Sequence, residues 1–240
     1  MRIHRVSSPT VNQENKLEGN MKTVTFAGQI IDTDIVRLEM NGKNAHDLTP
    51  LRKLTNVEFI SLENNQIIDL TPLKMLTHLN FLFLCHNQIK DITPVRTLTG
   101  LKVLSFWDNQ VDNVISLQGL INLTVLGLGS NNITDITPLQ TLVNLKEVDL
   151  EHNNISDVTP LQSLTHLPKL YLSDNQIRDI SPLKVLVNLT ELGLYENQIT
   201  DVTPLYSLTQ LTKLELQGNP LTLPQIDGLR RALPNCEVLF

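Results

Sequence analysis

The stretch from residue 57 to residue 78 reads VEFISLENNQIIDLTPLKMLTH, and the next 22 residues, LNFLFLCHNQIKDITPVRTLTG, repeat its pattern. An asparagine marks the same place in each period and recurs at positions 65, 87, 109, 131, 153, 175, 197 and 219. A fixed period in this range is typical of a solenoid, in which stacked repeats share one core. The sequence therefore predicts one continuous solenoid rather than two globular domains.

Each period begins with a strand-like segment that leads to the asparagine. Ile60 and Leu62 alternate with their neighbours, as in a strand whose apolar side chains point to one face. The Asn65 amide has both donors and an acceptor, so we expect it to bond loop backbone in its own repeat and in the neighbouring one. Stacked strands should then form one parallel sheet, with neighbours about 4.8 Å apart.

The second half of each period predicts a short helical turn. Thr71 is expected to cap it, Pro72 suits its first position, and Asp69 places a carboxylate near the exposed amides. A helix this short should be of the tight 3-10 kind. One repeat, NVISL at residues 113–117, lacks both the proline and the aspartate, so we expect a looser turn there.

The ends of the chain differ from the repeats. Residues 1–23 are polar and predict a disordered tail, residues 24–219 the solenoid, and residues 220–240 a cap made of a helix and a strand. The solenoid should open with a β-like cap and a degenerate repeat that extends to about residue 56. Apolar residues expected to shield its open edge are Val24, Phe26, Ile30, Ile31 and Ile35. The apolar face of the final helix should consist of Leu223, Ile226, Leu229 and Leu233.

The repeats carry the motif N-x-I-x-D-I-T/S-P-L with a period of 22 residues. Over roughly residues 36–220 the chain therefore resembles the internalin-type leucine-rich repeats of bacteria. The resemblance implies an α/β solenoid with a parallel β-sheet on the concave face and short 3-10 helical turns on the convex face. It also implies that the concave sheet binds other proteins and that the repeats carry no catalysis.

Composition excludes several other functions. The net charge is −6 and no basic stripe is visible, so we expect no nucleic-acid partner. No run of about 20 apolar residues is present, so we expect no membrane span. Cys85 and Cys236 lie too many repeats apart to pair, which favours a reducing compartment. Without an apolar leader we expect a cytoplasmic protein, or a secreted one if a native leader is missing from this sequence.

No catalytic, metal-binding or cofactor motif occurs in the chain, so we expect neither an enzyme nor a bound cofactor. His86 and His152 occupy the same repeat position, about 14 Å apart from the strand spacing, which is too far to share a metal. Solvated histidines at the strand edge are the favoured interpretation. The only candidate for an unrecognised catalytic site is an acidic cluster of Asp149, Glu151 and Asp174.

The informative signal is on the predicted concave face, where side chains between the inward leucines point out. Six of the ten aromatic residues of the chain fall there, although folding does not require them. The predicted protein-binding residues are Phe59, Phe81, Phe83, Val103, Trp107, Tyr171 and Tyr195. Exposed aromatic clusters usually mark an interface, and Trp and Tyr are frequent anchors. Cys85, beside them, is interpreted as a small interface residue.

These residues leave alternatives open. The favoured hypothesis is a non-catalytic module that binds a protein partner through an aromatic hot spot, with a charged region beyond it. A homodimer that pairs concave faces would use the same surface. Carbohydrate binding is a third hypothesis, because sugars stack on aromatic rings. The last alternative is that the aromatic side chains only cover the sheet and have no role in binding.

Overall fold

The computed structural model describes residues 22–240. The predicted disordered tail therefore lies outside the described residues, apart from Lys22 and Thr23. The described chain begins with an antiparallel hairpin of β1 (Thr23–Phe26) and β2 (Gln29–Asp32). Val24, Phe26 and Ile31 are buried in this hairpin, but Ile30 is 77% exposed, so its predicted part in shielding the edge is wrong. Successive strand residues face opposite sides, and Ile30 lies on the outer one.

One parallel sheet of ten strands runs through the solenoid, with neighbours in chain order from one edge to the other. The strands are β3 (Arg37–Glu39), β4 (Phe59–Ser61), β5 (Phe81–Phe83), β6 (Val103–Ser105), β7 (Val125–Gly127), β8 (Glu147–Asp149), β9 (Lys169–Tyr171), β10 (Glu191–Gly193), β11 (Lys213–Glu215) and β12 (Glu237–Leu239). The predicted α/β solenoid, with a parallel sheet on its concave face and 3-10 turns on its convex face, is confirmed.

Short 3-10 helices connect the strands on the opposite side. They span Thr49–Lys53, Thr71–Met75, Thr93–Thr97, Ile115–Leu117, Thr137–Thr141, Thr159–Ser163, Ser181–Val185 and Thr203–Ser207. The cap assignment differs from the prediction, because Thr71 donates its backbone N–H to Asp69 Oδ1 at 2.8 Å and caps nothing itself. In seven of the eight turns an aspartate is thus the acceptor that precedes the turn, and a threonine or serine is the first residue of the turn.

The turn without proline, which was expected to be looser, is the shortest of the eight. It has three residues, Ile115–Leu117, where each of the others has five. Asn113 takes the place of the aspartate and accepts the N–H of Ile115 at 2.9 Å. An amide oxygen can therefore accept this hydrogen bond, as the carboxylate does in the other turns. Ser116 stands where the other turns have proline, so no ring fixes a helical φ at that residue.

The repeating apolar residues fill the core. The recurring asparagines, one in each repeat from Asn65 to Asn219, lie at its edge, and we call them the asparagine ladder. Ile60 and Leu62 have no exposed surface, and equivalent residues of the other repeats are buried in the same way. Asn131 donates to the carbonyls of Phe106, Leu128 and Gly129 at 2.9–3.0 Å. Its oxygen accepts the N–H of Val111 in the preceding repeat at 2.8 Å. The predicted bonding within one repeat and to its neighbour is confirmed.

The C-terminal end is covered by helix α1 (Leu223–Ala232), which is followed by β12 at the sheet edge. Leu229 and Leu233 are buried against the last repeat, but Leu223 is 76% exposed, so its predicted place on the apolar face is wrong. Leu223 is the first residue of the helix. No helix within residues 22–240 has the length and apolarity needed to cross a membrane.

Candidate protein-binding face

The strands place three columns of side chains on the outer surface of the sheet, which we call the sheet face. The first column consists of Phe59, Phe81, Val103, Val125, Glu147, Lys169, Glu191 and Lys213. The second consists of Ser61, Phe83, Ser105, Gly127, Asp149, Tyr171, Gly193 and Glu215. The third follows the strand ends and contains Glu63, Cys85, Trp107, Gly129, Glu151, Ser173, Tyr195 and Gln217.

Three phenylalanines form a cluster on β4 and β5. The ring of Phe59 lies 6.0 Å from that of Phe81 and 5.5 Å from that of Phe83, measured between centroids. All three side chains are partly exposed. The guanidinium carbon of Arg37, on β3, lies 3.5 Å from the centroid of Phe59, so a cation covers one end of the cluster. We call these three rings the phenylalanine cluster.

Trp107 contacts a different set of residues. Its indole meets the ring of His86 edge-on at 5.1 Å, and His86 Nδ1 lies 2.7 Å from a carboxylate oxygen of Asp108. The indole also lies across Gly129, because a Cβ added to that glycine would come within 2.5 Å of Nε1. The absent side chain of Gly129 therefore lets the indole lie against the sheet, where it stays partly exposed.

Three of the predicted contact residues are buried. Tyr171 is 2% exposed, Val103 5% and Cys85 2%, so their predicted exposure is wrong. Cδ1 of the Tyr171 ring lies 3.4 Å from the position that a Cβ of Gly193 would occupy, and the Tyr171 hydroxyl donates to Glu191 at 2.7 Å. Burial also raises the pKa of the Cys85 thiol to about 12, which keeps it neutral and unreactive.

Tyr195 and the two histidines form a second polar and aromatic group. Tyr195 is partly exposed, and its hydroxyl lies 3.5 Å from His152 Nε2. His152 Nδ1 in turn lies 2.6 Å from a carboxylate oxygen of Asp174. The sequence had favoured simply solvated histidines, but both His86 and His152 have a carboxylate partner one repeat further on. Asp174 is therefore engaged by a histidine.

The half of the sheet face beyond Trp107 is acidic. Lys169 pairs with Glu191 at 2.8 Å and Lys213 with Glu215 at 2.7 Å, so those charges are balanced locally. Asp149 is only 4% exposed, and burial raises its pKa to about 6, although the backbone N–H of Glu151 opposes the shift. Within the described residues, no group of three or more ligating side chains is arranged to hold a metal ion.

The structure thus divides the predicted site into separate parts. The phenylalanine cluster is contiguous, while Trp107 packs with His86 and Tyr195 with His152. Sequence reasoning missed Arg37 and the aspartate partners of the histidines. The 22-residue spacing from His86 to Asp108 was the available signal, because residues one period apart are neighbours in a solenoid.

Comparison with known proteins agrees with this architecture. A model of leucine-rich repeats (two copies) matches residues 55–97, 99–141, 121–163, 143–185, 165–207 and 187–231. No curated protein matches the chain. The crystal structure of internalin C2 from Listeria monocytogenes is 37% identical and has a TM-score of 0.74, with 81% of this chain and 86% of that one covered.

More distant structures share the fold alone. A leucine-rich repeat protein from Leptospira interrogans is 24% identical over 80% of this chain and 68% of its own, with a TM-score of 0.58. The ectodomain of the plant receptor kinase GASSHO1/SCHENGEN3 from Arabidopsis thaliana, in complex with CASPARIAN STRIP INTEGRITY FACTOR 2, is 21% identical, with a TM-score of 0.72. The alignment covers 86% of this chain and 26% of the receptor. From the repeat model and the internalin match together, the chain belongs to the internalin-type leucine-rich repeat proteins.

Proposed function

We propose that this protein is a non-catalytic module that binds a protein partner on its sheet face, with the phenylalanine cluster and Trp107 as anchors. The observation that carries the proposal is the contact among Phe59, Phe81 and Phe83 on the outer surface of strands whose inner surface is already filled. These rings add nothing to the apolar core, and a partner would remove their remaining exposed surface from water.

The scaffold supports binding with little rearrangement. Parallel strands and the asparagine ladder hold each anchor in a fixed register, so little conformational freedom is lost when a partner docks. The leucine-rich repeat fold commonly mediates protein–protein interaction, and the plant receptor ectodomain above is an example of one in complex with a factor. Tyr195 would contribute at the rim, while the buried Val103 and Tyr171 would support the surface from below.

The test is affinity enrichment from a lysate of the source cells, with wild type compared with Phe83→Ala/Trp107→Ala. We expect a protein that wild type captures and the double variant loses, with affinity lower by about 2 kcal/mol or more, since aromatic anchors carry much of the binding energy. A matched control is Ile68→Ala/Met75→Ala. It removes two side chains that are 61% and 67% exposed away from the sheet face, and it should capture the same protein.

The alternatives predict other results. Equal capture by wild type and the double variant, with both folded, would overturn the anchor assignment. A dimer of the wild type in light scattering that Phe83→Ala/Trp107→Ala dissociates would instead identify self-association through this face. Retention on an immobilised glycan that the double variant loses would favour the carbohydrate hypothesis.

A further inference from the structure

Four cations lie together on the convex side of the solenoid, in its first three 3-10 turns. Arg52 and Lys53 end the first turn, Lys74 lies in the last part of the second and Arg96 in that of the third, and all four residues are exposed. Arg52, Lys74 and Arg96 are one period apart, so stacking of the repeats brings them into a column that the linear sequence does not display. We call these four residues the basic turn patch.

The charge of the basic turn patch is not balanced within the described residues. None of its four cations has a carboxylate within ion-pair distance among residues 22–240, whereas Lys90, Lys169 and Lys213 each pair with one. The patch is also local, because the fourth, fifth and sixth turns contain no lysine or arginine. In a chain of net charge −6, four uncompensated cations at one place favour an acidic ligand.

A cleft of about 430 Å³ opens between the second and third turns, within the patch. Lys74, Arg96 and Met75 line it, and Asp91 is the one carboxylate among its described lining residues. The Asp91 oxygen accepts the backbone N–H of Thr93 at 2.8 Å, so this carboxylate serves its own turn. The cleft therefore offers two cations beside an apolar wall, which suits a chain that carries acidic side chains.

The second and third turns hold their cations in a fixed register. The Thr97 hydroxyl donates to the carbonyl oxygens of Lys74 at 2.6 Å and of Pro94 at 3.3 Å, so the third turn is bonded to the second. Repeats are about 4.8 Å apart at the strands and further apart on the convex side, because the solenoid curves. Alternate side chains of an extended peptide are about 6.6 Å apart. Every second residue of such a peptide can thus face the cation of one turn.

We propose that the basic turn patch binds an acidic segment of a protein partner, in an extended conformation with carboxylate side chains at alternate positions. The inference goes beyond the proposed function, because the patch lies on the convex side and not on the sheet face. A peptide fits the cleft better than a membrane, since a flat lipid surface does not enter a recess between two turns. Residues 49–53, 71–75 and 93–97 contain no aromatic side chain on which a nucleic-acid base could stack.

The test uses the full chain, labelled with ¹⁵N, and a capped pentapeptide in which three glutamates alternate with two threonines. The titration is made at pH 7 and low ionic strength, where exposed charges are least screened. We expect chemical-shift changes at the Lys74 and Arg96 amides, with a dissociation constant on the order of 1 mM, as suits a few exposed charge pairs. Lys74→Glu/Arg96→Glu should weaken binding at least about tenfold, because both cations that line the cleft become repulsive.

The matched control is Arg178→Glu/Lys184→Glu, which makes the same two exchanges at exposed positions in and beside the seventh turn. It changes the net charge by the same amount, so it separates the patch from the overall charge, and it should bind the peptide about as tightly as wild type. A peptide with glutamines in place of the glutamates should give no shifts. A peptide with three contiguous glutamates should bind about threefold more weakly, because an extended chain turns one of them away.

The absence of shifts at Lys74 and Arg96 would overturn the inference, and so would an equal loss of binding in the two charge-reversed variants. Equal affinity for the contiguous peptide would contradict the alternate positions. Binding of wild type to phosphatidylserine vesicles, without any response to the peptide, would assign the patch to a membrane surface instead. Phe83→Ala/Trp107→Ala should leave the titration unchanged, so this outcome is separate from that of the proposed function.

Discussion

Asn65 and Asn197 are six repeats apart and make nearly the same hydrogen bonds. Each donates to a carbonyl of the preceding repeat and two of its own, and each oxygen accepts an N–H of the preceding repeat. Phe59 and Glu191 are also six repeats apart, on the sheet face, but their contacts differ. Phe59 packs against aromatic rings, whereas Glu191 pairs with a lysine and accepts a hydrogen bond from a tyrosine.

The difference separates two physical demands on one period. Inside the solenoid each residue must fit copies of itself above and below, so the same shape and the same hydrogen bonds recur. On the sheet face the backbone is already paired, and the side chain is free to serve another purpose. Variation there, from the phenylalanine cluster to the acidic half, is where we place recognition.

The largest expected effect comes from breaking the repeated interior. Asn131→Leu keeps the size of the side chain but removes three donated bonds and the acceptor for the buried Val111 N–H. We expect the free energy of unfolding to fall by about 3–5 kcal/mol, because buried backbone groups lose their partners. Chemical denaturation monitored by circular dichroism measures the loss.

The neighbouring residue provides the control for this substitution. Asn132 is exposed and its side chain is outside the ladder, so Asn132→Leu should change stability by no more than about 0.5 kcal/mol. Equal effects of the two substitutions would remove the distinction between the interior and the surface on which the comparison rests.

The next effect has the opposite sign and lies on the sheet face. Asp149→Asn should stabilise the protein at pH 7 by about 1–3 kcal/mol, because it removes a buried charge while its amide oxygen can still accept the Glu151 N–H. The stabilisation should be visible as a higher midpoint in urea. Selection for folding alone would not retain the buried charge of Asp149. The sheet face therefore differs from the interior, where the repeated residues stabilise the fold.

The pH dependence checks the cause of this stabilisation. The folded pKa of Asp149, about 6, lies above its ordinary value of 3.8, so the folded state holds this proton more tightly than the unfolded state. The contribution of Asp149 to the free energy of unfolding of wild type is therefore fully present below pH 4 and is lost as the pH rises through 6. The advantage of Asp149→Asn should vanish near pH 4, and an advantage that persists there would contradict the assignment.

How far the sequence predicts this molecule follows the same division. The period and its apolar positions predicted the strands, the 3-10 turns and the ladder, because all of these depend on residues that repeat. A looser turn was expected at residues 113–117, and the structure has a shorter one, Ile115–Leu117. The columns of the sheet face were also predicted correctly, since register follows from the period.

The states of individual side chains on that face were harder to predict. Tyr171 was expected to be exposed and is buried, with its ring beside Gly193 of the next strand and its hydroxyl bonded to Glu191. The edge-on packing of Trp107 against His86 likewise depends on Gly129. Such contacts depend on which two residues occupy the same column in neighbouring repeats. The pattern shared by all repeats does not specify those pairs, so it does not predict the contacts.

The smallest expected effect concerns a residue that repeats yet is exposed. Asp135 Oδ1 accepts the Thr137 N–H at 2.8 Å, and bonds from the Thr137 side chain and backbone lower the pKa of this carboxyl. Asp135→Ala should therefore cost about 0.5–1 kcal/mol of unfolding free energy, as loss of a cap usually does. The cost should shrink in acid, since wild type loses this contribution as the pH falls through its lowered pKa.

Asp135→Asn separates the hydrogen bond from the charge. Asn113 already accepts the equivalent N–H in the shortest turn, so Asn at position 135 should retain most of the stability at pH 7. Thermal melts of the two Asp135 variants measure this. If Asn were as costly as Ala, the charge rather than the acceptor would hold the turn, and the aspartate would recur for electrostatic reasons. If Asn is tolerated, geometry alone explains the repetition, as it does for the ladder inside.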